Sequence, residues 1–427
     1  MKTPSMMLSF STALALIACN GEKNDSGLAA GADGLTCVDG YCTLPNSILE
    51  DLTLTSEYAY VLSGGVFVGD GEVEVELTID PGVTIYGEPQ SFLASQQNST
   101  INAVGTAAAP IVFTSPQAEG SRNRADWGGL ILNGKAPINN CSDGASAVAG
   151  CTAEGEGSTG TYGGDDPTDS SGTLKYVRVE FGGYEVTPEN EVNGIAFQGV
   201  GSGTSVSYVQ VHMNKDDGVE FYGGTVNADH IVITGAGDDS LDWTDGWTGS
   251  VSHVLVQQFA DLGDRGVEAD NNGDQNAALP VSSPTISKMT ILGAGPESVG
   301  LLLREGTQAT LSDVVVSGSG SACLDVDQDA TFANAAAGTL SLKNTVLSCD
   351  AFFKVETDDS GNPEESFDIQ AWFEGQPGNS TTVNAGLEGF LPGAGSPLIG
   401  AGSDGGTIGA FDQGDDWASA WIITAAN

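Results

Sequence analysis

Residues 205–243 read SVSYVQVHMNKDDGVEFYGGTVNADHIVITGAGDDSLDW. Within them SYVQV (207–211) and DHIVI (229–233) occupy equivalent places, and SHVLV (252–256) continues the series. Each is followed by a turn and then a short segment with apolar residues at its second and fourth positions. Seven such segments occur: GIAFQG (194–199), GVEFYG (218–223), SLDWTD (240–245), GVEADN (266–271), GLLLRE (300–305), CLDVDQ (323–328) and FFKVET (352–357). Apolar residues at every second position predict a strand with one buried face. A sandwich of antiparallel strands gives no reason for each unit to resemble the last. A parallel β-helix does, because each coil lies on the one before and equivalent residues stack about 4.8 Å apart.

The expected fold is therefore all-β: a single-stranded, right-handed parallel β-helix of about ten coils, the right hand following from the chirality of parallel crossovers. Two inward columns are predicted. One runs Ile195, Val219, Leu241, Val267, Leu301, Leu324, Phe353; the other Phe197, Phe221, Trp243, Ala269, Leu303, Val326, Val355. An outward column runs Ala196, Glu220, Asp242, Glu268, Leu302, Asp325, Lys354.

TIDPGVTIYG (78–87) and INAVGTAAAPIVFTS (101–115) resemble early coils of the pectate-lyase-like type. WGGLILNGKAPIN (127–139), TLKYVRVEFGGYEV (173–186), the long run 193–243 and GDRGVEADNN (263–272) resemble a largely uncharacterised family of bacterial secreted or lipid-anchored β-helix proteins. SPLIGAG (396–402) and IGAFDQGDDW (408–417) look like its closing coil and cap. The resemblance implies a fold and an address, and no reaction.

Composition limits the partners. The chain has 57 Asp+Glu against 13 Lys+Arg, a formal net charge of −44 over 427 residues. That charge argues against nucleic acid or an anionic lipid surface as partner, because the electrostatic term is repulsive. Lys2 precedes an apolar run from Met6 to Ile17 that is too short to span a bilayer and has signal-peptide length. Its end, Leu16-Ile17-Ala18-Cys19, resembles the bacterial lipobox, which implies cleavage before Cys19 and lipidation of that residue. Asn20 rather than Asp follows, which by the same resemblance favours the outer membrane or cell surface. The expected organisation is a signal peptide over 1–18, a flexible tether over 19–36 and a monomeric β-helix domain over 37–427. That domain carries an insert at 139–172 and a closing coil and cap at 390–427. The six remaining cysteines fall into close pairs, Cys37/Cys42, Cys141/Cys151 and Cys323/Cys349. Fifteen connectivities are open, and nearest-neighbour pairing is the simplest in an oxidising compartment.

Three acids in the outward column face one another, and more flank the strands. The candidate metal ligands are Asp216, Asp217, Glu220, Asp238, Asp239, Asp242, Asp264, Glu268 and Asp270. Like charges on neighbouring strands repel. Either water and salt screen an exposed face, or a hard cation such as Ca²⁺ collects six to eight of the oxygens.

An enzyme reading competes. Polygalacturonase-like β-helix hydrolases place carboxylates on successive coils, and Asp217, Asp238 and Asp239 stand at that spacing. The third coil has Asp264-Arg265-Gly266 where those enzymes have Gly-His-Gly, and the fourth has Arg304-Glu305 where they have Arg-x-Lys. Arg265 and Arg304 are the only nearby bases for a lyase. The preferred expectation is a non-catalytic protein that binds an extracellular polysaccharide or an envelope protein. A purely structural surface rod is the third reading. His230 and His253 align with Tyr208 and are expected as stacked solenoid residues. Trp247, Trp372, Trp417 and Trp421 are candidates either for sugar stacking or for packing of loops and caps.

Overall fold

The computed structural model describes residues 29–30, 35–142, 144, 150–187, 190–354, 367–381 and 384–426. The signal peptide, Cys19 and residues 355–357 of the seventh repeat lie outside these described residues. Among them no helix is long and apolar enough to cross a membrane.

The chain winds into a parallel β-helix. One face is a ten-stranded parallel sheet running from Ser47–Ile48 at one end to Ala322–Val326 at the other. Its register pairs Ala196 with Glu220, Glu220 with Asp242, Asp242 with Glu268, Glu268 with Leu302 and Leu302 with Asp325. The two inward columns from Ile195 to Leu324 and from Phe197 to Val326 are fully buried. Phe197 stacks on Phe221 at 5.0 Å, and Phe221 stacks on Trp247 at 4.0 Å. Trp247 is thus a core residue with no sugar-stacking face.

The longer strands form the second sheet: Gly172–Glu180, Ser205–His212, Asn227–Thr234, Ser250–Gln257, Thr285–Leu292 and Ala309–Ser317. Each bends at one left-handed residue: Tyr176, Tyr208, His230, His253, Lys288 and Asp313, with φ between 50° and 57°. None of the six is β-branched, the class least tolerant of that conformation. The corner column carries its own stack, with ring centroids at 4.5 Å for Tyr176–Tyr208, 4.3 Å for Tyr208–His230 and 4.6 Å for His230–His253.

One end is closed by a hairpin, Thr36–Val38 with Tyr41–Thr43, cross-linked by Cys37–Cys42. Ala29–Ala30, inside the expected tether, adds an antiparallel pair to it. At the other end, Cys323–Cys349 ties the last coils together, and the short helix Ile369–Glu374 buries Ile369 and Phe373 against them.

Residues 390–426, the described part of the expected closing coil and cap, depart from a closing coil. They run back along the outside of the second sheet. Leu398 and Ile408 pack on Val315 and Val346; Phe411, Ala418 and Trp421 pack on Val232 and Leu255. Gln210 on a much earlier coil exchanges hydrogen bonds with the backbone of Ile423, and Arg178 donates to the carbonyl of Trp421 at 2.9 Å. The physical reason lies in the second sheet itself. Val232, Leu255 and Val315 point outward, and a strap must cover them. Trp417 and Trp421 belong to this strap.

The described part of the insert around Cys141, Cys151 and Tyr162 lies on the outward face of the ten-stranded sheet. Ile138, Cys141, Cys151, Ala153 and Tyr162 pack against Ala94, Ile131 and Ala196, with Cys141–Cys151 stapling the loop.

Candidate functional site

The acidic column that the register builds is not solvated. Asp217, Glu220, Asp239 and Asp242 are each more than nine-tenths buried, and Asp325, further along, is 1% exposed. Backbone geometry sets the positions. Gly218 separates Asp217 from the core residue Val219, and a Cβ there would lie 2.4 Å from Ile233 and 2.5 Å from the Ser240 carbonyl. The coil is therefore held close to the next. Asp239 N–H donates to Asp217 Oδ1 at 2.9 Å, and Arg265 N–H donates to Asp239 Oδ1 at 2.6 Å. Each aspartate is pinned by the equivalent residue one coil on.

The result is a repeating set of carboxylate triangles. Asp216, Asp217 and Asp238 bring oxygens within 4.8 Å of one another, and so do Asp238, Asp239 and Asp264 one coil later. A deeper triangle of Asp217, Glu220 and Asp242 recurs as Asp239, Asp242 and Glu268. A separation of 4.8 Å spans a Ca²⁺ shell whose Ca–O distance is about 2.4 Å. Eight of the nine expected ligands take part. The ninth, Asp270, does not: Arg304 holds it through Nε at 3.0 Å and also reaches Glu268 at 2.7 Å. Arg265 is engaged by Asp264.

Electrostatics makes the seam costly without a counter-charge. Burial pushes the carboxyls of Asp217, Glu220, Asp239 and Asp242 well above their ordinary range, and neighbouring carboxylates push them further. Burial raises Asp216 and Glu268 to about 7. Asp242 Oδ1, on the residue common to both deep triangles, is buried with no hydrogen-bond partner. A buried carboxylate oxygen without a donor is expensive. The donor set is hard oxygen, the kind that suits Ca²⁺.

Other residues of the site lie outside the expected ligand set. Asn193 donates to Glu220 at 2.5 Å and to the Tyr222 hydroxyl at 3.0 Å. Tyr222 in turn donates to Glu156 of the insert at 2.9 Å. Burial raises Glu156 to about 7 as well. Tyr162 donates to Asp245 at 3.2 Å. Asn193 carries a signal in the sequence, since it precedes GIAFQG as Asp217 precedes GVEFYG. Glu156 carries none, because the insert has no repeat to align.

The hydrolase arrangement fits poorly. Inverting chemistry needs carboxyls roughly 6.5–9.5 Å apart with room for water. Here Asp216, Asp217 and Asp238 crowd within 4.8 Å, and Asp217 and Asp239 already accept backbone donors. The histidines contribute nothing to the seam. His212 is fully buried with Nδ1 2.7 Å from Thr234 Oγ1, and His230 and His253 stack in the corner column.

No curated protein and no solved structure matches the chain. A family model described as a pectate-lyase-like beta helix domain matches residues 46–421. That span takes in every coil from the first strand of the ten-stranded sheet to Trp421 of the strap, so the chain belongs to the pectate-lyase-like β-helix domain family.

Proposed function

We propose that the protein is a non-catalytic β-helix of the bacterial outer membrane or cell surface. In this reading it is a monomer held by lipid on Cys19, binds Ca²⁺ along its carboxylate seam and engages an extracellular polysaccharide or an envelope protein. The family supports a carbohydrate-related or structural role. The observation that carries the cation reading is the coil-to-coil repetition of the deep triangle around the unpartnered Asp242 Oδ1. Eight carboxylates this close, with Arg265 and Arg304 as the neighbouring cations, leave a net negative charge that divalent ions neutralise. The membership of a lipid-anchored group rests on the lipobox resemblance and the long motifs, and belongs to the same proposal.

Calorimetric titration of the metal-stripped protein with CaCl₂ tests the seam. Saturable binding is expected, with a melting temperature that rises by several degrees at millimolar Ca²⁺ and returns with chelator. Binding to the folded state at a hundredfold excess over Kd stabilises by about 2.7 kcal/mol per site. No heat and no shift would remove the cation reading. Mass spectrometry of the mature protein tests the anchor. The expected N-terminus is an acylated Cys19, and an unmodified Cys19 or a different cleavage point refutes it.

A further inference from the structure

The proposed glycan binding leaves open where a sugar would sit and of what kind. Beside the seam, where the insert meets the ten-stranded sheet, lies a cavity of about 340 Å³. Phe92, Tyr184, Val186 and Val192 form its apolar walls, and Gln90 and the Tyr184 hydroxyl supply polar groups. The volume stands at the small end of the range for ligand pockets, roughly 300–1,000 Å³, so it suits one ring rather than a chain.

Its construction is specific. Gly128 lets the backbone close in, since a Cβ there would lie 2.6 Å from the Ser91 carbonyl and 3.1 Å from Phe92 Cβ. The insert reaches the cavity at Gly157, whose absent side chain leaves Val186 and Val192 in place at 3.2 and 3.5 Å from its Cβ position. Phe92 is braced edge-on by Phe67 at 5.4 Å. Gln90 Nε2 donates to the Tyr184 hydroxyl at 2.7 Å, which fixes both heads and leaves the phenol proton to donate.

None of the lining residues carries a charge. Yet Glu156, Glu185 and Glu191 each adjoin a lining residue in sequence. A carboxylated sugar would meet repulsion with no cation among the lining residues, and an ammonium group would find no carboxylate among them. A pyranose ring has an apolar C–H face for an aromatic wall and hydroxyls for polar heads. We propose that this cavity is a binding subsite for a neutral pyranose, resting on the glycan reading and distinct from the carboxylate seam.

Saturation-transfer NMR on the full chain tests it, with methyl glucoside, methyl galactoside, N-acetylglucosamine and galacturonate as the probes. At least one neutral sugar is expected to bind at millimolar concentration, and galacturonate to bind at least about tenfold more weakly. Phe92→Ala should weaken the neutral sugar by about tenfold or more. Tyr184→Phe, which keeps shape, should weaken it by a smaller factor with an unchanged circular dichroism spectrum. Two results overturn the proposal: no neutral probe binding, or binding that survives both Phe92→Ala and Tyr184→Phe. Galacturonate binding as tightly as the neutral sugars overturns it too. A glycan array run alongside separates the two readings. Acidic glycans bound elsewhere would keep the glycan reading and sink this subsite; a blank array would sink both.

Discussion

Removal of residues 385–427 is expected to make the β-helix aggregate. The strap covers an outward column that is polar at Arg178 and Gln210, apolar at Val232 and Leu255, polar at Thr290, and apolar again at Val315 and Val346. The strap matches that alternation. Its carbonyls and amides meet the polar positions: Trp421 O on Arg178, Ile423 on Gln210, Ala410 N–H on Thr290 Oγ1 at 2.9 Å. Its side chains meet the apolar ones, with Phe411 and Trp421 over Val232 and Leu255, and Leu398 and Ile408 over Val315 and Val346. Asp313 accepts from Ser403 N–H at 2.8 Å, and its own carbonyl accepts from Gly409 N–H at 3.0 Å. Without the strap, four aliphatic side chains and the stacked Tyr176, Tyr208 and His230 face water as one stripe. Contiguous apolar surface of this kind drives association. Size-exclusion chromatography and dye binding read the outcome. Trp421→Ala gives the graded version, because loss of a buried tryptophan costs about 3–5 kcal/mol and should detach the strap locally. A truncated chain that stays monomeric at the original melting temperature would show that the strap is not structural.

The difference between strap and closing coil shows what the sequence makes legible. Period-two patterning and spacing are enough to put Glu220, Asp242 and Glu268 side by side, because a repeat fixes register whatever surrounds it. Burial of the same residues is not legible. It depends on Glu156, Tyr162 and the stapled insert, which arrive from outside the repeat. The strap lies between these cases. IVI (231–233), VLV (254–256) and VVV (314–316) are apolar at all three positions. A strand buried on one face does not need that, so Val232, Leu255 and Val315 already require a cover. Nothing in 390–427 is periodic, so its partner cannot be aligned. The bend at the corner column is hidden for another reason: one left-handed residue leaves the alternation on either side intact.

In the absence of divalent cations, stability is expected to fall as pH rises from about 5 to about 8. The sign follows from the seam. The ordinary values are 3.8 for Asp and 4.5 for Glu, and in the fold burial raises Asp217, Glu220, Asp239 and Asp242 well above them and Asp216 and Glu268 to about 7. A group raised on folding contributes stability that is fully present below its unfolded value and is lost as pH passes through its folded value. Each tenfold gain in proton affinity on folding is worth about 1.4 kcal/mol, so the loss is on the order of a few kcal/mol for the seam as it ionises. Calcium should reverse the trend, because binding displaces protons and strengthens as pH rises. Asp242→Asn separates the two effects. It keeps the side-chain shape and removes the charge common to both deep triangles. The cation-free variant should melt higher than the cation-free wild type at pH 8, while its calcium-induced shift should shrink by more than half. Glu220→Gln, which touches one triangle only, should fall between. A cation-free melting temperature that is flat from pH 5 to 8, or an Asp242→Asn variant that keeps the full calcium shift, would mean that the seam is neutralised by neither protons nor ions in the way its burial demands.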